Sequence, residues 1–419
     1  LHLSIRRQRQ MCIRDSWVGD DGEIKPRMRV GREGSLGFFY GVVTEALGWQ
    51  VNDGEGKTMG LASFGDPRKG LGSLDRLIPR YQGGKLVKPH NFGYPASWED
   101  LGATHWHFQD TTLVIDEIYR LGREHVAAAA QRLLEEQLLD IVQSWLEREG
   151  VTQVAAAGGV FLNVRANQRI WETGMASNLH IYPDAGDSGL AVGAALYACY
   201  NRTGAIDIQA IEHLYYGPDF SDQEIEKLLK DRNLPYKYCE DIEQVCAELL
   251  AKGKIVGWFQ GKMEIGPRAL GNRSILMDPR RRENKDVINK KVKFREPFRP
   301  FCPSLLEEAM EEYLVNAHKA PFMIISFDVQ SDKRKEIPAV VHVDNTVRPQ
   351  TVSKATNERY WQLIRVFEKL TSVPVVLNTS FNIKGEPIAC TPRDALRCFY
   401  DSGMDCLALG NFLLKKQVV

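Results

Sequence analysis

The sequence has no excess of charge of either sign, since 54 lysines and arginines stand against 54 aspartates and glutamates. That balance removes the broad basic field of a general nucleic-acid binder, so small molecules rather than nucleic acid are the expected partners. The chain also lacks any apolar run approaching the roughly 20 residues of a membrane-spanning helix, and no membrane partner is expected. Its eight cysteines are scattered without a CxxC pair, which suggests neither a zinc ribbon nor a disulfide framework. Together these absences describe a reduced, cytoplasmic protein. What is present is length: 419 residues exceed the usual size of one domain, so two are expected, each with its own core.

The first sixteen residues, "LHLSIRRQRQMCIRDS", do not fit the rest. They are rich in arginine, show neither a helical nor a strand period, and stop where a turn-like pattern begins at Trp17. Residues 1–16 are read as a non-native scar rather than a transit peptide, and a segment upstream of Trp17 is expected to be missing.

From Trp17 onward the chain reads as α/β. Val126, Ala130, Leu134, Leu138, Ile141 and Trp145 recur three or four apart, the apolar face of a long helix that ends near Gly150 and is expected to pack on a sheet. "VTQVAAAGGV" then reads as a buried strand running into Gly158 and Gly159, with a helix after Asn163, and "IYPDAGDSGLAVGAALYACY" repeats the order of strand, glycine loop and helix. Such units build nucleotide sites, because loop amides and a helix N-terminus meet phosphate there. Singly they are weak: a glycine pair also serves tight helix packing. Asp187 either caps the following helix or offers a carboxylate to a cation.

A polar, turn-rich passage near residues 201–222 is taken as the junction, giving domains 17–204 and 205–419. Beyond it, "GKMEIGPRALGNRSILMDPR" sets Arg268, Arg273, Arg280, Arg281 and Arg282 among glycines and prolines. This is either a surface linker or an anion-binding loop, since Gly266 and Gly271 let the backbone approach a ligand while arginine offers a planar fork of donors. "INKKVKFREPFRPFCPSL" then interleaves Lys293, Arg295 and Arg299 with Phe294, Phe298 and Phe301, either a basic surface or a phosphate pocket. Arg348 follows in "TVRPQ", and "VPVVLNTSFNIKGEPI" is a buried strand delivering Asn378, Ser380 and Asn382 to a turn.

Six ordered motifs, "SLGFFYGVVTEALGW…GEGKTMGLASFG", "GGVFLNVRAN", "YPDAGDSGLAVGAAL", "GKMEIGPRALGNRSILMDPR", "NKKVKFREPFRPFCPS" and "VPVVLNTSFNIKGEPI", together resemble the O-carbamoyltransferases of nodulation-factor and antibiotic biosynthesis. The resemblance implies an N-terminal domain of the Kae1 type, a branch of the actin-like ATPase fold, followed by a YrdC-like α/β domain. It implies formation of carbamoyl adenylate and pyrophosphate from carbamoyl phosphate and ATP, then transfer of the carbamoyl group to a hydroxyl of a sugar or natural product, with a divalent iron near the adenylate. Carried over by motif, Arg268, Lys293, Arg299 and Arg348 would surround phosphate, and Ser380 and Asn382 would bind the same ligand. Gly158, Gly159 and Asn163 would line the nucleotide, with Glu55 and Lys57 as further candidates, and Asp187 would ligate the metal. The family's histidine pair at helical spacing is not found here. The nearest pair, His105 and His107, lies outside every motif and is read as structural or solvent-facing. Two other classes share parts of this pattern: a tRNA-modifying enzyme of threonylcarbamoyl type and a non-catalytic nucleotide-binding protein.

Overall fold

The computed structural model describes residues 14–20, 23–92, 96–100, 103–204 and 210–416, so residues 1–13 of the arginine-rich N-terminal run lie outside it. The chain divides into two compact units, Leu1–Asp187 and Ser188–Val419. No helix among the described residues is long and apolar enough to cross a membrane.

The N-terminal unit opens on an antiparallel pair, β1 (Arg14–Asp20) and β2 (Glu23–Val30). Arg14, Asp15 and Ser16, which show no strand period in the sequence, are therefore strand residues. Pairing with β2 across a bulge at Ser16/Trp17 supplies the order that the side-chain pattern does not. The core is helical. The helix Leu36–Ala46 starts at Ser35, whose side chain accepts from the Phe38 amide, and it buries Phe39, Tyr40, Val42 and Val43. The long helix is Arg123–Glu149, closed by Gly150 in the left-handed conformation. Val126, Ala130, Leu134 and Leu138 are buried as the spacing predicts, while Ile141 and Trp145 are half-buried.

The expectation that this helix packs on a sheet is corrected: its principal neighbours are the helices Leu36–Ala46, Glu55–Ala62, Thr111–Leu121 and Val164–Glu172. The reason lies in its first half, where Ala127, Ala128 and Ala129 are buried as well, so the helix is enclosed on several sides rather than along one stripe. Two hairpins, β3 (Arg80–Gln82) with β4 (Lys85–Lys88) and β5 (Ala96–Asp100) with β6 (Ala103–His107), flank this core in sequence. The unit ends with β7 (Gln153–Ala156) and β8 (Asn178–Ile181), which pair in parallel through the crossover helix Val164–Glu172.

The C-terminal unit begins with the helix Leu190–Thr203 and is built on an eight-stranded mixed sheet. Its strands are β9 (Lys237–Tyr238), β10 (Val256–Phe259), β11 (Arg273–Met277), β12 (Cys302–Leu306), β15 (Gln350–Val352), β16 (Val375–Ser380), β17 (Cys406–Leu409) and β18 (Phe412–Lys415). They lie in the order β15-β12-β16-β11-β10-β17-β18-β9, with β10–β17 and β12–β15 parallel and the other pairs antiparallel. A small pair, β13 (Phe327–Asp328) and β14 (Thr346–Val347), stands apart from that sheet. Every residue of β10, β11 and β12 is buried, the polar Arg273, Ser274 and Ser304 included, so both faces of these strands are covered. The helices Asp222–Asp231 and Pro392–Tyr400 both start with reciprocal capping boxes, Ser221 with Glu224 and Thr391 with Asp394.

Candidate anion-binding site

The five arginines of the loop that precedes and follows β11 have different fates. Arg273 is fully buried inside the fold. Its Nη1 donates to the carbonyls of Gln260, Gly261 and Asn272 at 2.6, 3.0 and 3.2 Å, its Nη2 donates to Pro218 at 3.0 Å, and its guanidinium lies 3.6 Å from the Phe259 ring centroid. Arg280 is paired with the buried Asp278 at 2.7 Å, and Arg281 and Arg282 are exposed. Arg268 differs from all of them. It is half-buried, and although its Nε, like that of Arg273, is withdrawn from solvent without an acceptor, its Nη groups also make no hydrogen bond among the described residues, whereas those of Arg273 do.

Burial, reinforced by the like charges of Arg348 and Arg299, pulls the Arg268 guanidinium down to about 9. The loop that carries it is wrapped around a buried carboxylate: Glu264 Oε1 accepts from the amides of Leu270, Asn272 and Arg273 at 2.6, 3.2 and 3.2 Å. Gly271 turns the loop at φ 99°, and a Cβ there would meet the Tyr360 ring at 2.1 Å.

Lys293 comes from a different local device. Residues Asn289–Lys293 form a π-helical turn that ends at Phe294, a non-glycine residue at φ 46°. The turn carries Lys293 inward, leaving it 5% exposed. Its Nζ donates to the Ser380 carbonyl at 2.6 Å, Ser380 Oγ at 3.3 Å, the Asn382 carbonyl at 2.9 Å and Asn382 Oδ1 at 2.7 Å. Ser380 is the last residue of β16, and its hydroxyl donates to Asn382 Oδ1 at 2.7 Å. Burial pushes the Lys293 ammonium well below its usual value, with Arg295 adding to the effect.

Arg295 and Arg348 complete the group. Burial followed by the charge of Arg299 holds Arg295 at about 9, where it stacks 4.3 Å from the Phe301 ring centroid and donates to Asn289 Oδ1 at 3.2 Å. Arg348 rests both Nε and Nη2 on the sulfur of Cys302, at 3.2 and 2.8 Å. Arg299 has an acid beside it, Glu296 at 3.6 Å. Arg268, Lys293, Arg299, Arg348, Ser380 and Asn382 are thus brought into one neighbourhood. Arg295, which the sequence pattern sets beside Lys293 and Arg299, joins them, and so does Cys302, whose only sequence signal is its position directly after the aromatic run "KFREPFRPF". The charges that act most strongly on Arg268 and Lys293 are those of other cations and of thiols rather than of carboxylates.

Of the candidates in the N-terminal unit, Gly158, Gly159, Asn163 and Asp187 follow β7 and β8 in the chain, while Glu55 and Lys57 lie on the helix Glu55–Ala62. Gly158, at φ 112°, donates its amide to the Ala185 carbonyl at 2.7 Å and so ties the two glycine loops together, and Gly159 opens a short 3-10 turn. Asn163 caps the helix Val164–Glu172 by accepting from the Ala166 amide at 3.1 Å, and its amide group exchanges hydrogen bonds with Gln131 at 2.9 and 3.0 Å. Glu55 stands at the start of the helix Glu55–Ala62, accepts from the Asn52 amide at 2.8 Å and is raised by burial, while Lys57 pairs with Asp53 at 3.6 Å. Asp187 is exposed. No group of three histidine, cysteine, aspartate or glutamate side chains converges on a metal position among the described residues, so these residues do not by themselves fit an iron site. His107 is exposed and lies 2.6 Å from Glu45, and the side chain of His105 falls outside the described residues.

Lys293, Ser380 and the neighbouring arginines thus gather near the end of β16 in an α/β protein. Residues 3–196 match the family model described as carbamoyltransferase N-terminus, and residues 247–416 match that described as carbamoyltransferase C-terminus. The chain belongs to the carbamoyltransferase family, a family of transferase enzymes. It is 39% identical to an uncharacterized protein of Synechocystis, covering 96% of this chain and 70% of that one. It is 36% identical both to nodulation protein NolO of Bradyrhizobium diazoefficiens and to nodulation protein NolNO of Sinorhizobium fredii. Each comparison covers 96% of this chain, with 72% of NolO and 58% of NolNO.

Proposed function

We propose that the chain is an ATP-dependent O-carbamoyltransferase whose C-terminal unit holds carbamoyl phosphate on the cation cluster. In this reading that unit has the YrdC-like role and the N-terminal unit the Kae1-like one, an actin-like ATPase fold holding the nucleotide near Gly158, Gly159, Glu55 and Lys57. Water cleaves carbamoyl phosphate to carbamate and inorganic phosphate, the carbamate attacks the α-phosphorus of ATP to give carbamoyl adenylate with release of pyrophosphate, and the carbamoyl group then passes to a hydroxyl of a small acceptor, a sugar or natural product, with release of AMP and the hydroxyl proton. The observation that carries the reading is that Arg268, Lys293 and Arg295 are each lowered first by burial and then by neighbouring cations, Arg268 by Arg348 and Arg299, Lys293 by Arg295 and Arg299, and Arg295 by Arg299 and Arg348. Like charges held together out of water are costly unless an anion joins them, and phosphoryl or nucleotidyl transfer depends mainly on such positioning and neutralisation.

Arg268, Arg299 and Arg348 provide forks for phosphate oxygens, and Lys293 a point charge. Ser380 and the Asn382 amide suit the carbamoyl end, which both donates and accepts hydrogen bonds. Asn163 serves the nucleotide side by fixing a helix start, since its side-chain amide is already engaged by Gln131. A divalent iron belongs to the resemblance, and no step is assigned to it. The cytoplasm suits the chain because its seven described cysteines are all free thiols.

The test is pyrophosphate release from ATP, which should appear only when carbamoyl phosphate is also supplied. Arg268→Ala should weaken carbamoyl phosphate binding by on the order of 2 kcal/mol, about thirtyfold, as read by calorimetry. An unchanged affinity would remove that loop from the site.

A further inference from the structure

Beneath the cation cluster lies a layer of uncharged polar side chains to which the proposed reaction gives no task. Ser304, Gln350 and Asn378 come from three neighbouring strands, β12, β15 and β16, and are 0%, 2% and 1% exposed. Each is two residues along the chain from a group of the site, Ser304 from Cys302, Gln350 from Arg348 and Asn378 from Ser380. Because side chains alternate across a strand, Ser304 shares a face of β12 with Cys302, and Asn378 shares a face of β16 with Ser380. Hydrogen bonds close the layer: Ser304 Oγ donates to Gln350 Oε1 at 2.8 Å, and Asn378 Nδ2 donates to Ser304 Oγ at 2.9 Å.

What the layer holds is the loop carrying Arg268. Asn378 Nδ2 donates to the Ala269 carbonyl at 3.2 Å, and Gln350 Nε2 donates to the Leu270 carbonyl at 2.7 Å. The Leu270 carbonyl also accepts from the Tyr215 hydroxyl at 2.7 Å, while Glu264 takes the Leu270 amide from the other side. The two residues after Arg268 are therefore fixed at the backbone by side chains from the strands that lead to Arg348 and Ser380. The Arg268 Nε has no such anchor of its own.

We propose that Gln350 and Asn378 are positioning residues for Arg268, holding its loop in register with Arg348 and Ser380 so that the guanidinium is oriented before the anion arrives. The proposal rests on the anion-site reading above. A donor that is already oriented gives up less conformational freedom on binding, so loss of the layer reaches the ligand through Arg268 and through no direct contact.

A double-mutant cycle on the whole chain separates this role from a merely structural one, with calorimetry of inorganic phosphate as the readout. Gln350→Met removes the amide while keeping its volume, and should weaken phosphate binding about fivefold, the size of one hydrogen bond. In the Arg268→Ala background the same change should weaken it less than about twofold, because the group it positions is gone. Equal losses in both backgrounds, or no loss in the first, would overturn the proposal. Tyr215→Phe removes the other donor to the Leu270 carbonyl without emptying the core. It should show the same coupling, and it supplies the cycle if Gln350→Met does not fold. Absence of phosphate binding by the unaltered chain would overturn the anion-site reading and this proposal with it.

Discussion

Lys293 carries three protons and faces four protein oxygens, those of the Ser380 carbonyl and hydroxyl and the Asn382 carbonyl and amide. Asn382 Oδ1 also accepts from the Ser380 hydroxyl at 2.7 Å, so a phosphate oxygen can accept a hydrogen bond from Lys293 in its place while Oδ1 keeps a donor. The pH dependence follows from the same residues. Lys293, Arg268 and Arg295 are bases whose proton affinity is lowered by folding, chiefly through burial. Between the folded and the ordinary value the unfolded chain binds more protons, so their contribution makes stability rise with pH from about pH 9, where Arg268 and Arg295 stand. Anion binding has the opposite slope, because an anion needs them charged. Phosphate affinity should therefore fall as pH is raised from about 8 to 10, a range in which the ligand's own charge no longer changes. Calorimetric titrations across that range check it, and a flat or rising affinity would remove these bases from the site.

At the scale of elements, glycine geometry makes a sharper prediction than charge does. Gly271 combines φ 99° with a missing Cβ that would sit 2.1 Å from the Tyr360 ring, so Gly271→Ala should cost about 2–4 kcal/mol, seen as a lowered denaturation midpoint. Much of this local architecture is legible in the sequence. The long helix, the strands β10 and β16 and the glycine turns follow from apolar spacing and from Gly and Pro, whereas β7, which reads as buried, buries only Ala156 of its four residues. What is not legible is which arginine of the loop serves a ligand. Arg268 and Arg273 look alike as letters, and they differ because four backbone carbonyls accept from the Nη groups of Arg273 while, among the described residues, none accepts from Arg268. Those carbonyls come partly from Pro218 and Gln260, far outside the motif. The same limit hides Cys302, whose part in the cluster lies in the Arg348 guanidinium that rests on its sulfur. It also hides the neighbours of the long helix, since periodicity reports a buried face without saying whether a sheet or other helices cover it.

For the whole molecule, the neutral overall composition conceals a strongly uneven distribution of charge, with cations buried at one place in the C-terminal unit. A ligand that binds there and not to the unfolded chain stabilises the native state by mass action. Phosphate at about a hundred times its dissociation constant should add about 2.7 kcal/mol. Scanning calorimetry should show a melting transition that moves up with phosphate in the unaltered chain and moves much less in Arg268→Ala. A shift that survives that substitution in full would mean that phosphate binds elsewhere. The strand order β15-β12-β16-β11 matters in time as well as in space. A ribosome delivers Arg268 and Lys293 long before β15 and β16, the strands that bring in Arg348 and Ser380, and pairings so distant in sequence form late in folding. The nascent chain therefore carries its cations unmatched until β16 has emerged and slotted between β11 and β12. Phosphate affinity then becomes a clock for that last insertion, one that can be read during refolding when secondary structure has already stopped changing.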